Sequence, residues 1–264
     1  MADIFLELPE GIFSQYEEYA RSIGIATETL LRQTIEQNAL TLPSYSDIDL
    51  GTLHDEPIVK AAQIEMEYRR LGYECGWRFL TCPRDHMKHS KLLLVGLNPG
   101  GSRHDPMGSW SQECGSAYRV ESWDNKPIGK SRLQLQMQAM FRLLGLNDED
   151  VFSAQFVPFR SPSWNALKHK VEAIRFAEKL WVWLLPQVSF ERVVVMGKND
   201  AAKTMARLLK ASLETSLPVG WGTYTADRYR LPDGRALIAI PHPSRFPIFN
   251  RPTAQQDLQK LFFD

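Results

Sequence analysis

Residues 92–105 read LLLVGLNPGGSRHD, and this stretch decides the fold. The run from Leu92 to Val95 is apolar without interruption and ends at Gly96. A continuous apolar run of this length predicts a strand buried on both faces, as in a parallel sheet covered by helices. It stops at a corner rich in glycine and proline, with one carboxamide, Asn98, at its tip. Further apolar runs at 77–83, 150–159 (DVFSAQFVPF) and 191–197 (ERVVVMG) predict more strands. Residues 223–240 read as two strands around a Pro-Asp-Gly turn, and the second, RALIAI, runs straight into PHPSRF at 241–246. Helical patterns lie between the strands. One spans 131–144 and stops at Gly145; one spans 161–185, with Ser163 as its N-cap and Pro186 ending it; another begins near Asp200, and a last one follows Pro252. The alternation predicts an α/β fold, three layers α/β/α around a central, mostly parallel four-stranded sheet. Ligands of such sheets bind at the carboxyl ends of the strands. The corners at 96–101 and 242–245 both follow strands, so they are expected to meet at one end of the sheet.

The 264 residues suffice for one large domain with an appendage, and their charge is unevenly spread. Residues 1–60 hold 11 acidic and 3 basic side chains, a net of 3 − 11 = −8. The total is zero, so residues 61–264 carry +8. The chain therefore divides into an acidic helical extension, 1–60, and a moderately basic α/β domain, 61–264, a balance that suits a polyanion. Within the extension, helical spacing covers 13–24 and again from Thr27 to before Pro43; an acidic, turn-rich loop at 43–56 precedes a helix opened by Pro57 and closed by Gly72. A helix-turn-helix reading of the first two fails on Gln33 and on acidity. Cys75, Cys82 and Cys114 have no metal-ligand spacing and read as free thiols of a reducing compartment. No run approaches a membrane span, and the start lacks a basic region and an apolar core, so a cytoplasmic location is expected.

GLNPG after an early strand, with HPS after a late one, resembles the uracil-DNA glycosylase superfamily, in its Asn-type branches, over residues 75–264. Taken alone, Asn98 would close an Asx-turn with Gly100, and His242 would brace a loop between two prolines. The ordered pair on strand ends favours the resemblance. What it implies is a monofunctional DNA N-glycosylase, without metal or nucleotide cofactor, that hydrolyses the bond to a flipped-out uracil or modified pyrimidine. Asn98 would orient the attacking water, since a carboxamide accepts no proton near neutral pH. His242 would donate to the base carbonyl as negative charge builds. Gly96 and Leu97 would line the base pocket, and the glycines would let backbone approach the nucleotide. Ser102 and Ser244 are expected on phosphates, beside Arg103. Arg245 or Phe246 would fill the gap left by the extruded base. Lys126, Lys130, Arg160, Lys168, Lys170 and Arg251 are further candidates for backbone contacts.

One position departs from the pattern. Uracil-specific relatives place an Asn at the end of the middle strand to read the base edge, and here that neighbourhood holds Gln155. The extra methylene reaches about 1.5 Å further, so the base is not fixed as uracil. The stacking aromatic is one of Trp110, Tyr118 and Trp123, with Trp110 favoured. Three alternatives stand beside repair: a defence protein acting on hypermodified phage bases, a non-catalytic nucleic-acid-binding member of the fold, and an unrelated enzyme whose GLNPGGS loop holds a phosphate. The expected partner is single- or double-stranded DNA, and the acidic extension is expected either to cover the basic surface or to meet another partner.

Overall fold

The computed structural model describes residues 57–101 and 107–263, together with Glu17, Arg21, Ala26 and Thr27. The chain divides between His54 and Asp55, and the fold is that of the second unit. The helices expected before Pro43 and the loop at 43–56 otherwise lie outside the described residues.

Helix α1 (Pro57–Arg70) starts on a proline, whose missing N–H costs nothing in a first turn. Gly72, at φ +65°, ends it. Its Glu65 accepts the indole N–H of Trp77 at 2.6 Å, which fastens α1 to strand β1 (Gly76–Arg78). β1 pairs in parallel with β3 (Met107–Ser109) as a small separate sheet. The strand expected over 77–83 is thus much shorter. Beyond Arg78 the chain is held by single backbone bonds, Phe79 N to Ser109 O at 3.1 Å and Leu80 N to Trp110 O at 2.8 Å, and by an isolated bridge of Leu80 to Ala154. Pro83 then leads into a 3₁₀ turn, Arg84–Lys88.

The main sheet contains β2 (Leu92–Gly96), β4 (Val151–Gln155), β5 (Arg192–Met196), β6 (Ser212–Trp221), β7 (Tyr224–Arg230) and β8 (Ala236–Ile240). The order is β4-β2-β5-β8-β7-β6. The first four are parallel; β7 and β6 extend them antiparallel. The sheet is therefore mixed and six-stranded, not four-stranded. The strand of this sheet missed in the sequence is β6, SLETSLPVGW, whose mostly exposed or half-buried residues give no apolar run; the short β3 of the small sheet was missed as well. β6 pairs only with β7, and an edge strand tolerates Pro218 because no neighbour needs the missing donor.

Helices α2 (Ala117–Val120), α3 (Arg132–Leu143), α4 (Lys170–Leu184), α5 (Asp200–Leu208) and α6 (Gln255–Phe263) complete the fold. α3 starts where the sequence indicates: the Ser131 hydroxyl accepts from Gln134 N, and Gln134 reaches back to Ser131 N. α4 begins later than expected. Ser163 caps a 3₁₀ turn, Trp164–Ala166, and His169, at φ +48°, separates that turn from the helix. Side-chain alternation gives each sheet face its own core. Leu93, Val95, Val193 and Val195 pack with Ala177 and Trp181 of α4 and Met205 of α5. Leu92, Leu94, Val194 and Ile240 pack with Met140 and Phe141 of α3 and Leu258 of α6. Among the described residues no helix is long and apolar enough to cross a membrane.

The order sets the site. From β2 the chain moves outward to β4, whereas β5 lies on the other side of β2 and leads toward β8. Connections thus diverge between the carboxyl ends of β2 and β5, where open α/β sheets place their crevice.

Candidate active site

The corner after β2 is laced to the segment after β4. Phe156 N donates to Gly96 O at 2.7 Å, Val157 N to Leu97 O at 3.1 Å, and Ser161 N to Pro99 O at 3.2 Å. Arg160 Nε donates to Gly100 O at 2.9 Å. Inside this lacing the Asn98 amide Nδ2 donates to Ser161 Oγ at 2.8 Å and lies 3.2 and 3.3 Å from the carbonyls of Pro99 and Phe159. The buried Ser161 hydroxyl in turn donates to Ser163 O at 2.8 Å. Both N–H bonds of Asn98 are thereby committed. Among the described residues no donor reaches its Oδ1, so the Asx-turn to Gly100 is not formed. Asn98 presents a fixed acceptor.

Gln155 ends β4 opposite Gly96 in the parallel register. Its carboxamide lies over the Gly96 backbone, where an added Cβ would come within 2.4 Å of Oε1 and 2.9 Å of Nε2. Glycine is required there for contact, not for backbone conformation. Gln155 is buried, and among the described residues Oε1 has no donor. A buried unpaired carbonyl costs about 1–3 kcal/mol unless a ligand or water completes it. Leu97 packs toward Gly197, which follows β5 at φ +114° and donates to Ile240 O at 2.9 Å.

His242 follows β8 through Pro241. The Ser244 backbone N–H points at His242 Nδ1 at 3.4 Å, and the Ser244 hydroxyl lies 2.8 Å from the same nitrogen. A backbone N–H can only donate, so Nδ1 is the acceptor and the proton sits on Nε2. Burial, reinforced by the neighbouring Arg245 charge, pushes the imidazole pKa down to about 4. At neutral pH His242 is therefore an uncharged N–H donor. β2 and β8 are two strand spacings apart, about 10 Å, with β5 between them. An acceptor and a donor thus follow strands two places apart at the same, carboxyl edge of the sheet.

The other expected residues are scattered more widely. The hydroxyl of Ser244 is occupied with His242, which gives it a task other than gripping phosphate. Arg245 is exposed, whereas Phe246 is half-buried against Tyr224, with ring centroids 4.2 Å apart. Trp110 packs on Phe79 at 5.2 Å and Trp183 at 6.1 Å, and among the described residues its buried indole N–H has no acceptor. Tyr118 is fully buried against Phe141 and presents no free face, whereas Trp123 is half-buried, with its indole N–H donating to Glu121 at 2.7 Å. Lys126, Lys130 and Lys168 are exposed, while Lys170 lies over Trp164 and Arg251 over Trp221. Ser102 and Arg103 lie outside the described residues. Cys82 is buried beside Ser153, its thiol pushed up to about 12 by burial. Among the described residues no cluster of His, Cys, Asp and Glu is arranged for a metal.

Sequence reasoning missed Ser161. Its only signal was a hydroxyl immediately after an apolar strand and a basic residue, in PFRSP. No family model matches the chain, and no curated protein matches it significantly.

Proposed function

We propose that this chain is a monofunctional DNA N-glycosylase of the uracil-DNA glycosylase type, acting on a pyrimidine rotated out of the strand. The observation that supports the proposal is that two oppositely suited groups follow strands at the same edge of the sheet. Asn98 offers an oriented acceptor, and His242 offers a neutral donor. The reaction breaks the bond from C1′ to the base nitrogen, and the electron pair leaves with the base. Water bonds to C1′ and releases its proton to solvent. Asn98 Oδ1 holds that water by accepting one of its hydrogens. The sugar is already cationic in the transition state, so orientation is enough and a strong base is not needed. His242 Nε2–H meets the charge growing on the base carbonyl. A neutral imidazole serves this task because its N–H bond to the oxygen strengthens as charge builds there; one such donor contributes about 3–4 kcal/mol. The Gln155 carboxamide, with its unpaired Oε1, supports recognition of a base edge that offers an N–H.

The test is base release from single- and double-stranded oligonucleotides containing uracil, alongside DNA with modified cytosines, read as alkali-sensitive nicking. The account predicts abasic product from at least one of them. Uracil as substrate would mean repair, and hypermodified DNA alone would mean defence. Binding without product on every substrate would contradict the proposal and favour a non-catalytic member of the fold.

A further inference from the structure

The antiparallel extension of the sheet does more than lengthen it. In the β7–β8 ladder Asp227 stands opposite Ala239. Continued three residues back from Asp227 and three on from Ala239, the same register brings Tyr224 level with His242. The β6–β7 hairpin therefore reaches the carboxyl edge of the sheet near the second corner, and contacts to that corner and to the loop after β5 fasten it there. Phe246 packs against Tyr224 at 4.2 Å and edge-on against Trp221 at 6.1 Å. Trp221 Nε1 donates to Pro247 O at 3.4 Å. Lys198, in the loop after β5, pairs with Asp227 at 2.7 Å and donates to Thr225 Oγ1. The corner is itself continuous with the site, since the backbone N–H groups of Arg245 and Phe246 both donate to His242 O, at 3.0 and 3.1 Å.

The result is an aromatic surface with a cationic rim. Tyr224 is 51% exposed although it touches two neighbouring elements. The Arg251 guanidinium lies 4.2 Å above the Trp221 ring, and Arg245 is open to solvent. Asp227, three residues along the same strand, is paired with Lys198. A flat ring left bare among cations, beside a loop that carries a catalytic donor, matches a nucleobase better than an apolar protein surface. Bases stack on aromatic rings while cations hold the backbone.

We infer that Tyr224, supported by Phe246 and Trp221, is a stacking platform for an unpaired nucleobase next to the extruded nucleotide. This rests on the glycosylase reading and deepens it: the platform would hold the base orphaned or unstacked by flipping. It also gives Phe246 a role in supporting the platform, leaving Arg245 to enter the strand.

The test is fluorescence of 2-aminopurine placed beside uracil in a short single strand and in a duplex, titrated with full-length protein carrying Asn98→Ala so that no base release is required. Tyr224→Ala is expected to weaken binding roughly tenfold and to abolish quenching, and Tyr224→Trp to restore both. Thermal unfolding of each variant separates this from a loss of fold. Undiminished DNA binding and quenching in Tyr224→Ala would overturn the platform, whatever the base-release assay gives, and would leave the surface to a protein partner. Loss restored by Trp would support it even if no base were released.

Discussion

Asn98 is informative because of what its amide cannot do. With Nδ2 committed to Ser161 and two carbonyls, the side chain cannot rotate to offer a donor. Ser161→Ala removes the shortest of these bonds and leaves the two weaker ones. The expected result is a fall in kcat of about tenfold with KM little changed, because one neutral hydrogen bond is worth about 1 kcal/mol and acts on orientation. Restoration by Ser161→Thr would separate positioning from packing; an equal loss in KM would argue against it. The sequence displayed Asn98 and His242 because each follows an apolar run. It did not display Ser161, since only the fold brings position 161 to position 98. Nor could it show that the extra reach of Gln155 is used in folding over Gly96.

At the scale of elements, legibility followed burial. β2, β5 and β8 are buried over nearly their whole length, and their apolar runs were visible. β6 is mostly exposed or half-buried and gave no such signal, so the sheet was read as smaller than it is. The long helical pattern after β4 failed at its start for another reason. Residues 161–169 have polar and aromatic side chains compatible with a helix, but Ser161 and His169 are held in non-helical roles. α3 was readable at both ends because its signals are local. Ser131 is buried within a reciprocal cap, and Gln134 also donates to the carbonyls of Ala117 and Glu121 at 3.0 and 2.7 Å. Ser131→Ala is expected to destabilise the fold by about 0.5–2 kcal/mol in urea unfolding, the usual range for a lost N-cap. No change would mean that the tertiary contacts of Gln134 hold the helix start alone.

For the whole molecule, charge and protonation set the working conditions. His242 titrates near 6.5 when unfolded and near 4 when folded. The unfolded chain therefore binds the extra proton first as pH falls. His242 favours the fold fully above about pH 6.5, and this contribution of up to about 3 kcal/mol is lost progressively between 6.5 and 4. A His242→Gln variant should lose less stability over that window than the parent protein, measured by urea unfolding at a series of pH values. Activity of the parent should show no histidine titration between about pH 6 and 8, because the donor is already neutral there. Residues 61–264 carry the +8 that offsets the acidic residues 1–60, and under the proposed function the polyanion would react at the carboxyl edge between β2 and β8. The most direct measurement is single-turnover base release by the parent protein and by Asn98→Ala, on whichever pyrimidine DNA is cleaved, with DNA affinity measured in parallel. The account predicts that Asn98→Ala binds normally and releases base at least a hundredfold more slowly, the scale seen when one preorganised polar group is removed. An Asn98→Ala protein releasing base at the parent rate would contradict it.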